Sequence, residues 1–176
     1  MSKIIDEKPY KNQYLIYTRK STDDADNQKN SLAYQVGEGI RLAKLNHLPI
    51  ASVDIENFCK DGIIKERHTG FKEDENFDID SNGKFSYTIE RPKFLRLVRF
   101  LKDGHFKGVI VLCWDRASRN KNDDAILRKL MKQGVDIHFV QAQYDSITSA
   151  GELHMDVDGM FSQHFSRVIS EKVTNQ

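Results

Sequence analysis

The chain has 176 residues, of which 39% are hydrophobic and 30% charged, and its net charge is +1. These values suit one domain of ordinary core size and exclude the strongly basic field of a complete DNA-binding protein, so that any site for a polyanion must be local. The two cysteines support neither a disulfide framework nor a zinc cluster, no apolar signal segment is present, and the longest apolar run, VIVLCW, is too short to cross a bilayer; we therefore expect a cytoplasmic protein without a membrane partner.

Strand-like and helix-like segments alternate along the chain, which is the pattern of a parallel sheet covered by helices. Strands are predicted at Tyr14 to Thr18, at roughly 50–58, at VIVLCW and at VDIHFVQ. Helices are predicted at about 31–45, from Pro92 onward, and over NDDAILRKLMKQG. Because VIVLCW is continuously apolar, it is expected to lie in the middle of the sheet, buried on both faces.

Individual residues support these helices. Proline is favoured in a first helical turn, so Pro92 indicates a helix start. The buried stripe of that helix is predicted to consist of Phe94, Leu97, Val98 and Leu101. In NDDAILRKLMKQG, acidic residues come first, basic residues follow and Gly134 ends the segment, as the helix dipole and C-cap preferences require.

The segment between the second strand and Pro92 carries a hairpin signal. In FDIDSNGKFSY, Asn82 and Gly83 lie between two alternating arms, and both residues tolerate the positive φ of a type I′ turn. Phe77 and Ile79 on one arm are expected to face Phe85 and Tyr87 on the other. We predict an inserted antiparallel β-ribbon within about residues 71–89.

The C-terminal part is predicted to be one long helix. Ser149 and Glu152 have capping-box spacing, and more than twenty residues without proline follow. Its wide apolar stripe contains Leu153, Val157, Met160, Phe161, Phe165, Val168 and Ile169. Periodicity alone leaves open whether this stripe packs on its own domain or forms a subunit interface.

Two predicted loops carry the residues best suited to chemistry. Ligands of open parallel sheets bind beyond the carboxyl ends of the strands, where the first strand is followed by Arg19 and Ser21 and the third by WDRASRN. Guanidinium groups hold phosphate oxygens bidentately and stabilise developing negative charge, and a serine hydroxyl supplies a nucleophile. We therefore predict a phosphodiester site composed of Ser21, Arg19, Arg91, Arg116 and Arg119, with Asp115 orienting one arginine.

Each of these residues also fits a structural role when it is taken singly. Ser21 could cap a turn, Arg119 could pair with Asp123 or Asp124, and Asp115 could cap the next element. The concentration of arginines at one sheet edge favours the functional interpretation. A magnesium site at Asp23 to Asp26 is the weaker interpretation, because that run lacks the glycine and the ligand spacing of a calcium loop. Neither a metal nor a nucleotide cofactor is expected.

At this point the sequence resembles a known family, the serine recombinases, over most of its length. YTRKST resembles the family's Tyr-x-Arg-x-Ser nucleophile motif, SLAYQ its Ser-Leu-x-x-Gln, and WDRASRN its Asp-Arg-x-x-Arg. ERP before an amphipathic helix is similar to a further block, and FSRVISEKV is closest to the start of the long helix in the large members.

The resemblance implies a resolvase-like α/β domain of three layers, with a mainly parallel sheet flanked by helices, and it implies a mechanism. Ser21 would attack a phosphodiester of double-stranded DNA to form a 5′-phosphoserine bond, with strand exchange in a synaptic tetramer of homodimers and later religation. Arg19, Arg91, Arg116 and Arg119 would surround the phosphate, and Gln35 and Asp115 would support them.

The resemblance also implies a division of the chain. Residues 1–13 would be an extension, 14–151 the catalytic domain, and 152–176 the start of an oligomerisation helix. The family's DNA-binding domain would be absent. Two alternatives remain, a non-enzymatic dimerisation or regulatory module on the same fold, and a metal-dependent phosphoesterase.

Overall fold

The fold is an α/β domain built on a four-stranded parallel sheet. The computed structural model describes residues 8–21, 31–68, 77–79, 85–87, 91–118, 121–141 and 157. In chain order the elements are β1 (Tyr14–Ser21), α1 (Leu32–Leu45), β2 (Ile63–His68), β3 (Phe77–Ile79), β4 (Phe85–Tyr87), α2 (Pro92–Lys102), β5 (Gly108–Val111), α3 (Trp114–Ala117), α4 (Lys121–Lys132) and β6 (Asp136–Phe139).

The strand order β2-β1-β5-β6 places β1 and β5 in the middle of the sheet. β1 pairs in parallel with β2 from Ile16 to Ser21 and with β5 from Tyr14 to Tyr17. Every residue of β5 is buried, which confirms the central strand predicted from VIVLCW. The predicted fold class is likewise confirmed, together with the first and fourth strands and the three helices within residues 31–134.

The predicted second strand, at roughly 50–58, is wrong. Ile50 makes one parallel bridge to Tyr14, after which the chain leaves the sheet and rejoins it at Ile63, opposite Ile16. The alternating residues of this excursion are buried without pairing along a ladder, and they include Ala51, Val53 and Ile55. Burial of every second residue is typical of a strand, so this pattern predicted one at 50–58. The observed strand has the more polar sequence IIKERH.

Gly62 closes the excursion, and its conformation explains why glycine is needed. Its φ is +71°, and an added Cβ would lie 2.1 Å from the carbonyl oxygen of Ala51. The Gly62 carbonyl accepts a hydrogen bond from the Ile16 N–H, which starts the β1–β2 ladder. The return of the chain to the sheet thus depends on a backbone approach that a side chain would block.

The two faces of the sheet bury cores of different size. Leu15 and Tyr17 of β1 lie in the larger cluster, to which α2 contributes Phe94, Leu97 and Leu101 as predicted. Tyr14 and Ile16 lie in the smaller cluster with residues of α1. The other members that α4, β5 and β6 contribute to the larger cluster include Leu127, Leu130, Val109, Val111, Ile137 and Phe139.

The predicted β-ribbon is present as a separate two-stranded antiparallel sheet. Phe77 pairs with Tyr87 and Ile79 with Phe85, as expected for the two arms. The predicted Asn82-Gly83 turn lies within residues 80–84, outside the described part of the chain.

The start of WDRASRN, predicted as loop, forms the one-turn helix α3 directly after β5. Its last N–H groups bond back to the Cys113 carbonyl, and Trp114 and Ala117 are buried in the larger core. Burial of these two side chains holds the turn against the sheet, so Asp115 and Arg116 sit on a fixed backbone.

Candidate active site at the carboxyl edge of the sheet

β1 extends beyond the end of its neighbour β5, and Gln35 supports this extension. The last β1–β5 pair is Tyr17 with Val111, while β1 continues beside β2 to Ser21. Because the Ile16 N–H points toward β2 and backbone groups alternate in direction, those of Arg19 point to the side where β5 has ended.

Gln35 occupies the place of the missing strand. Its Oε1 accepts from the Arg19 N–H at 3.1 Å, and its Nε2 donates to the Arg19 carbonyl at 2.8 Å. The side chain comes from the second turn of α1, which begins after the N-cap Ser31, and it is 1% exposed. One amide thus satisfies both polar groups of the residue two positions before Ser21.

The Arg19 side chain joins the two predicted loops. Its Nη2 donates to the Asp115 carbonyl at 2.9 Å, which ties the end of β1 to α3. The side chain is buried, and no described residue accepts a hydrogen bond from its Nε. Burial and the neighbouring charge of Arg91 lower the pKa of the Arg19 guanidinium, while Asp115 acts in the opposite direction.

Asp115 and Arg116 extend the same edge. Arg116 is 8% exposed, and its Nε lies 3.8 Å from Oδ2 of Asp115, whose side chain is about half exposed. Their backbone follows directly from Cys113, where burial raises the pKa of the thiol. Among the described residues, the half-exposed carboxylate of Asp115 thus lies beside the buried guanidiniums of Arg19 and Arg116.

Arg91 lies deeper, in a polar network with residues of four elements, β1, β2, α3 and α4. Its Nη1 pairs with Asp123 of α4, and its Nη2 donates to the Tyr17 hydroxyl at 2.8 Å and to the Ala117 carbonyl at 3.0 Å. Its Nε is 3.7 Å from a carboxylate oxygen of Glu66. The Tyr17 hydroxyl in turn donates to Glu66.

This network keeps the buried Arg91 side chain positively charged. Burial alone would lower the pKa of Arg91, but the facing Tyr17, Asp123 and Glu66 outweigh burial and raise it. Burial is also the main cause of the raised pKa of Tyr17. The guanidinium carbon of Arg91 lies 4.0 Å from the centre of the Phe94 ring. Arg91 therefore braces β1, β2 and α4 against one another and reaches the rear of α3 through Ala117.

The structure brings five of the predicted site residues to one edge, namely Arg19, Gln35, Arg91, Asp115 and Arg116. Arg19, Asp115 and Arg116 form its outer part, whereas Arg91 lies behind them. Ser21 ends β1, where it pairs with His68, but its side chain is outside the described part of the chain. Arg119 and the acidic run Asp23 to Asp26 also lie outside it.

Sequence reasoning missed Tyr17, Glu66 and Asp123 as members of this region. Glu66 is 3% exposed although it stands in a charged stretch, and only its contacts with Arg91 and Tyr17 explain that burial. The sequence signal was weak: an acidic residue within an alternating run, with its arginine partner more than twenty positions away.

The fold and the arginine-rich edge define a class of α/β domain whose site lies where β1 and β5 end. A family model described as "Resolvase, N terminal domain" matches residues 14–176, and the chain belongs to this family. The resemblance drawn from the sequence motifs is thereby confirmed.

A solved structure shares the fold. The N-terminal catalytic domain of TP901-1 integrase superposes with a TM-score of 0.52 at 19% identity, covering 90% of this chain and 98% of that one. A search of curated proteins gives no match. Among the described residues, no helix combines the length and apolarity needed to cross a membrane, and no group of three or more His, Cys, Asp and Glu side chains could hold a metal ion.

Proposed function

We propose that this chain is the catalytic domain of a site-specific DNA recombinase. Family membership supports recombinase activity, and the solved relative is the catalytic domain of an integrase. In this proposal residues 14–151 are the catalytic unit and 152–176 begin the oligomerisation helix. The full-length protein acts on double-stranded DNA as a homodimer that forms a tetramer at synapsis, in the cytoplasm.

The observation that carries the proposal is the hydrogen bonding of the Arg19 guanidinium. One arm of its guanidinium is fixed on the Asp115 carbonyl, whereas its buried Nε donor finds no acceptor among the residues described. An unpaired buried N–H costs about 1–3 kcal/mol, so such a group fits a site that receives an acceptor when it is occupied. A phosphodiester oxygen is an acceptor of the right charge, and Ser21 is two residues away.

The proposed reaction keeps the energy of the phosphodiester bond. The Ser21 hydroxyl oxygen attacks phosphorus, the bond from phosphorus to the 3′-oxygen breaks, and the serine proton ends on the departing 3′-hydroxyl. A 5′-phosphoserine ester remains, and the reverse reaction with another 3′-hydroxyl rejoins the strands. Arg19, Arg116 and Arg119 hold the phosphate and stabilise the extra charge of the transition state.

Arg91, Gln35 and Asp115 have supporting roles in this proposal. Gln35 holds the Arg19 backbone, and the Asp115 carbonyl holds the Arg19 side chain. The Nη1 and Nη2 atoms of Arg91 donate to protein acceptors, and through Ala117 this side chain supports α3 from behind. The proposal assigns the stabilising charge to arginines rather than to a metal, and it needs no nucleotide because the phosphoserine ester conserves the bond energy that religation needs.

The test is capture of the covalent intermediate. Because the target site is unknown, the full-length protein is incubated with nicked duplexes of randomised sequence and excess chelator at low salt, then resolved on a denaturing gel. We expect a 5′-linked adduct from the wild type and none from Ser21→Ala, which removes the nucleophile but no phosphate contact. Arg116→Lys should slow adduct formation by roughly 10²- to 10³-fold, since an ammonium cannot reproduce the bidentate fork.

Three outcomes would contradict the mechanism. An adduct from Ser21→Ala would assign the nucleophile elsewhere. Cleavage that requires magnesium and leaves no adduct would favour a metal-dependent phosphoesterase. Absence of any adduct from the wild type across the whole sequence pool would favour a non-enzymatic module on the same fold.

A further inference from the structure

The one-turn helix α3 carries Arg116, and its carbonyl groups receive hydrogen bonds from two side chains elsewhere in the chain. A single helical turn is not stable alone, and carbonyl groups near a helix C-terminus have no partner within the helix. The Asp115 carbonyl accepts from Arg19 at 2.9 Å, and the Ala117 carbonyl accepts from Arg91 at 3.0 Å. We call these two hydrogen bonds the clamp on α3.

Asp123, in the first turn of α4, sets the direction of the Arg91 guanidinium. Its carboxylate pairs with Nη1 of Arg91, while Nη2 reaches the Ala117 carbonyl. The Asp123 and Arg91 side chains are buried, and charge-assisted hydrogen bonds of this kind are among the strongest in proteins. Because a guanidinium is planar and rigid, fixing one arm also fixes the other. Asp123 therefore determines where Nη2 points.

Glu66 is a second carboxylate near Arg91, and it competes for the same guanidinium. Its Oε2 lies 3.7 Å from Nε of Arg91, too far for a hydrogen bond, and accepts instead from the Tyr17 hydroxyl. A buried charge requires a charged partner, so loss of Asp123 would draw Arg91 toward Glu66. Such a shift would withdraw Nη2 from the Ala117 carbonyl and open one side of the clamp.

We propose that Asp123 is a positioning residue for the reaction. Acting through Arg91, it holds the C-terminal end of α3 and thereby keeps the Arg116 guanidinium at the place where the phosphate is bound. Asp123 itself does not touch the phosphate. The inference rests on the proposed function, because it takes Arg116 as a residue that holds the phosphodiester.

Asp124 supplies a matched control. It stands beside Asp123 in the first turn of α4, and its carboxylate pairs with Arg128 at 2.8 Å. Asp123→Ala and Asp124→Ala each remove one carboxylate from the same helix N-terminus, so both lose the same net charge and a similar interaction with the helix dipole. Asp123→Asn is a milder variant, which keeps an acceptor oxygen for Nη1 but loses the charge. If urea titrations show that Asp123→Ala does not fold, Asp123→Asn decides the test.

Hydrogen exchange tests the clamp without DNA. The N–H groups from Arg116 to Ser118 donate to carbonyls at the start of the turn. We expect these amides to exchange on the order of tenfold faster in Asp123→Asn, and faster still in Asp123→Ala, when they are compared with the β5 amides of the same protein. In Asp124→Ala they should exchange at the wild-type rate.

The adduct assay with the full-length protein measures the effect on the reaction. At saturating DNA, adduct formation should be about tenfold slower in Asp123→Asn and on the order of 100-fold slower in Asp123→Ala, because a small misplacement of a catalytic group is costly. The DNA concentration for half-maximal rate should change little, and Asp124→Ala should react at the wild-type rate. In an Arg116→Lys background, Asp123→Asn should have a smaller effect, since the two residues act through one contact with the phosphate.

Two results would overturn the positioning role. One is a less stable Asp123→Asn protein whose α3 exchange and rate at saturating DNA equal those of the wild type, which would leave Asp123 as a neutralising partner of Arg91. The other is full additivity of Asp123→Asn with Arg116→Lys. A wild type that forms no adduct contradicts the proposed function instead, and hydrogen exchange then decides alone whether Asp123 holds α3.

Discussion

At the scale of single residues, Gln35 is the side chain on which the end of β1 most depends. It replaces the strand partner that Arg19 lacks, and its two hydrogen bonds with the Arg19 backbone are buried. Gln35→Ala leaves the Arg19 N–H and carbonyl without partners. Since each of these two buried groups costs about 1–3 kcal/mol when it lacks a partner, we expect the free energy of unfolding to fall by about 2–6 kcal/mol in urea titrations.

The matched control is Gln133→Ala, because Gln133 is exposed just beyond the end of α4. A surface change of this kind should alter the free energy of unfolding by no more than about 0.5 kcal/mol. If the two variants lose equal stability, the hydrogen bonds from Gln35 to the Arg19 backbone do not stabilise the end of β1.

Some residues of the site could be predicted from the sequence, and others could not. Spacing after two predicted strands correctly brought Arg19, Asp115 and Arg116 to one edge, because parallel strands share the direction of their carboxyl ends. Gln35 had no chemical signal of its own and was found only through the family resemblance. Glu66 was missed because its burial depends on Arg91, a partner distant in sequence.

At the scale of elements, β6 offers a test of the less covered face of the sheet. His138 packs edge-on against Tyr14, with ring centres 5.4 Å apart, and Asp136 and Lys107 are its charged neighbours. Burial lowers the pKa of His138; Lys107 acts in the same direction and Asp136 against it. The folded state therefore favours the neutral imidazole more than the unfolded state does.

The sign of the pH dependence follows from this lowered pKa. Neutral His138 contributes its full stability to the folded state above its pKa in the unfolded chain, about 6.5. This contribution is lost as pH falls toward its lower pKa in the folded state, because the unfolded chain takes up the proton first. We expect the free energy of unfolding of the wild type to decline from pH 7 to pH 5 more steeply than that of His138→Phe, which keeps the ring contact. Chemical denaturation at several pH values measures this difference.

His47→Asn is the control, since His47 is exposed and its positive φ of 52° is one that asparagine tolerates. This variant should retain the wild-type pH dependence. A His138→Phe protein with an unchanged slope between pH 7 and pH 5 would show that the imidazole titrates alike in the folded and unfolded states.

Elements whose burial follows from their own periodicity were predicted well, and those fixed by distant contacts were not. The stripe of α2 and the apolar run of β5 reflect burial that the local sequence encodes. β2 was misplaced because IIKERH looks solvent-exposed until Glu66 meets its interior partners. The ribbon was predicted from its alternating arms, and Phe77 and Ile79 pair with Tyr87 and Phe85 as predicted.

At the scale of the whole molecule, the C-terminal stripe remains a prediction of self-association. Val157 is helical and 37% exposed, and the other stripe residues lie outside the described ranges. We expect weak self-association through residues 152–173, because a wide apolar helix face gains stability when a second copy covers it. Phe161→Asp or Phe165→Asp should raise the dissociation constant by at least about tenfold, since a buried unpaired charge costs several kcal/mol.

Sedimentation over a range of concentrations measures this association, with Lys129→Asp on α4 as a control for the added negative charge. The control should associate like the wild type. If the wild type and the stripe variants are all strictly monomeric at every concentration, the predicted interface at residues 152–173 is wrong.

The central place of β1 in the sheet has a consequence for biosynthesis. β1 is made first among the strands, but its β5 neighbour begins about 90 residues later, after β2, the ribbon and α2. At 5–20 residues per second, the ribosome needs roughly 5–20 s to supply that neighbour. During this interval the nascent β1 can pair with β2 alone. The edge of β1 that pairs with β5 in the folded protein therefore stays unpaired until β5 has been synthesised. Translation speed between residues 70 and 111 should therefore affect the yield of folded protein more than translation speed after residue 141.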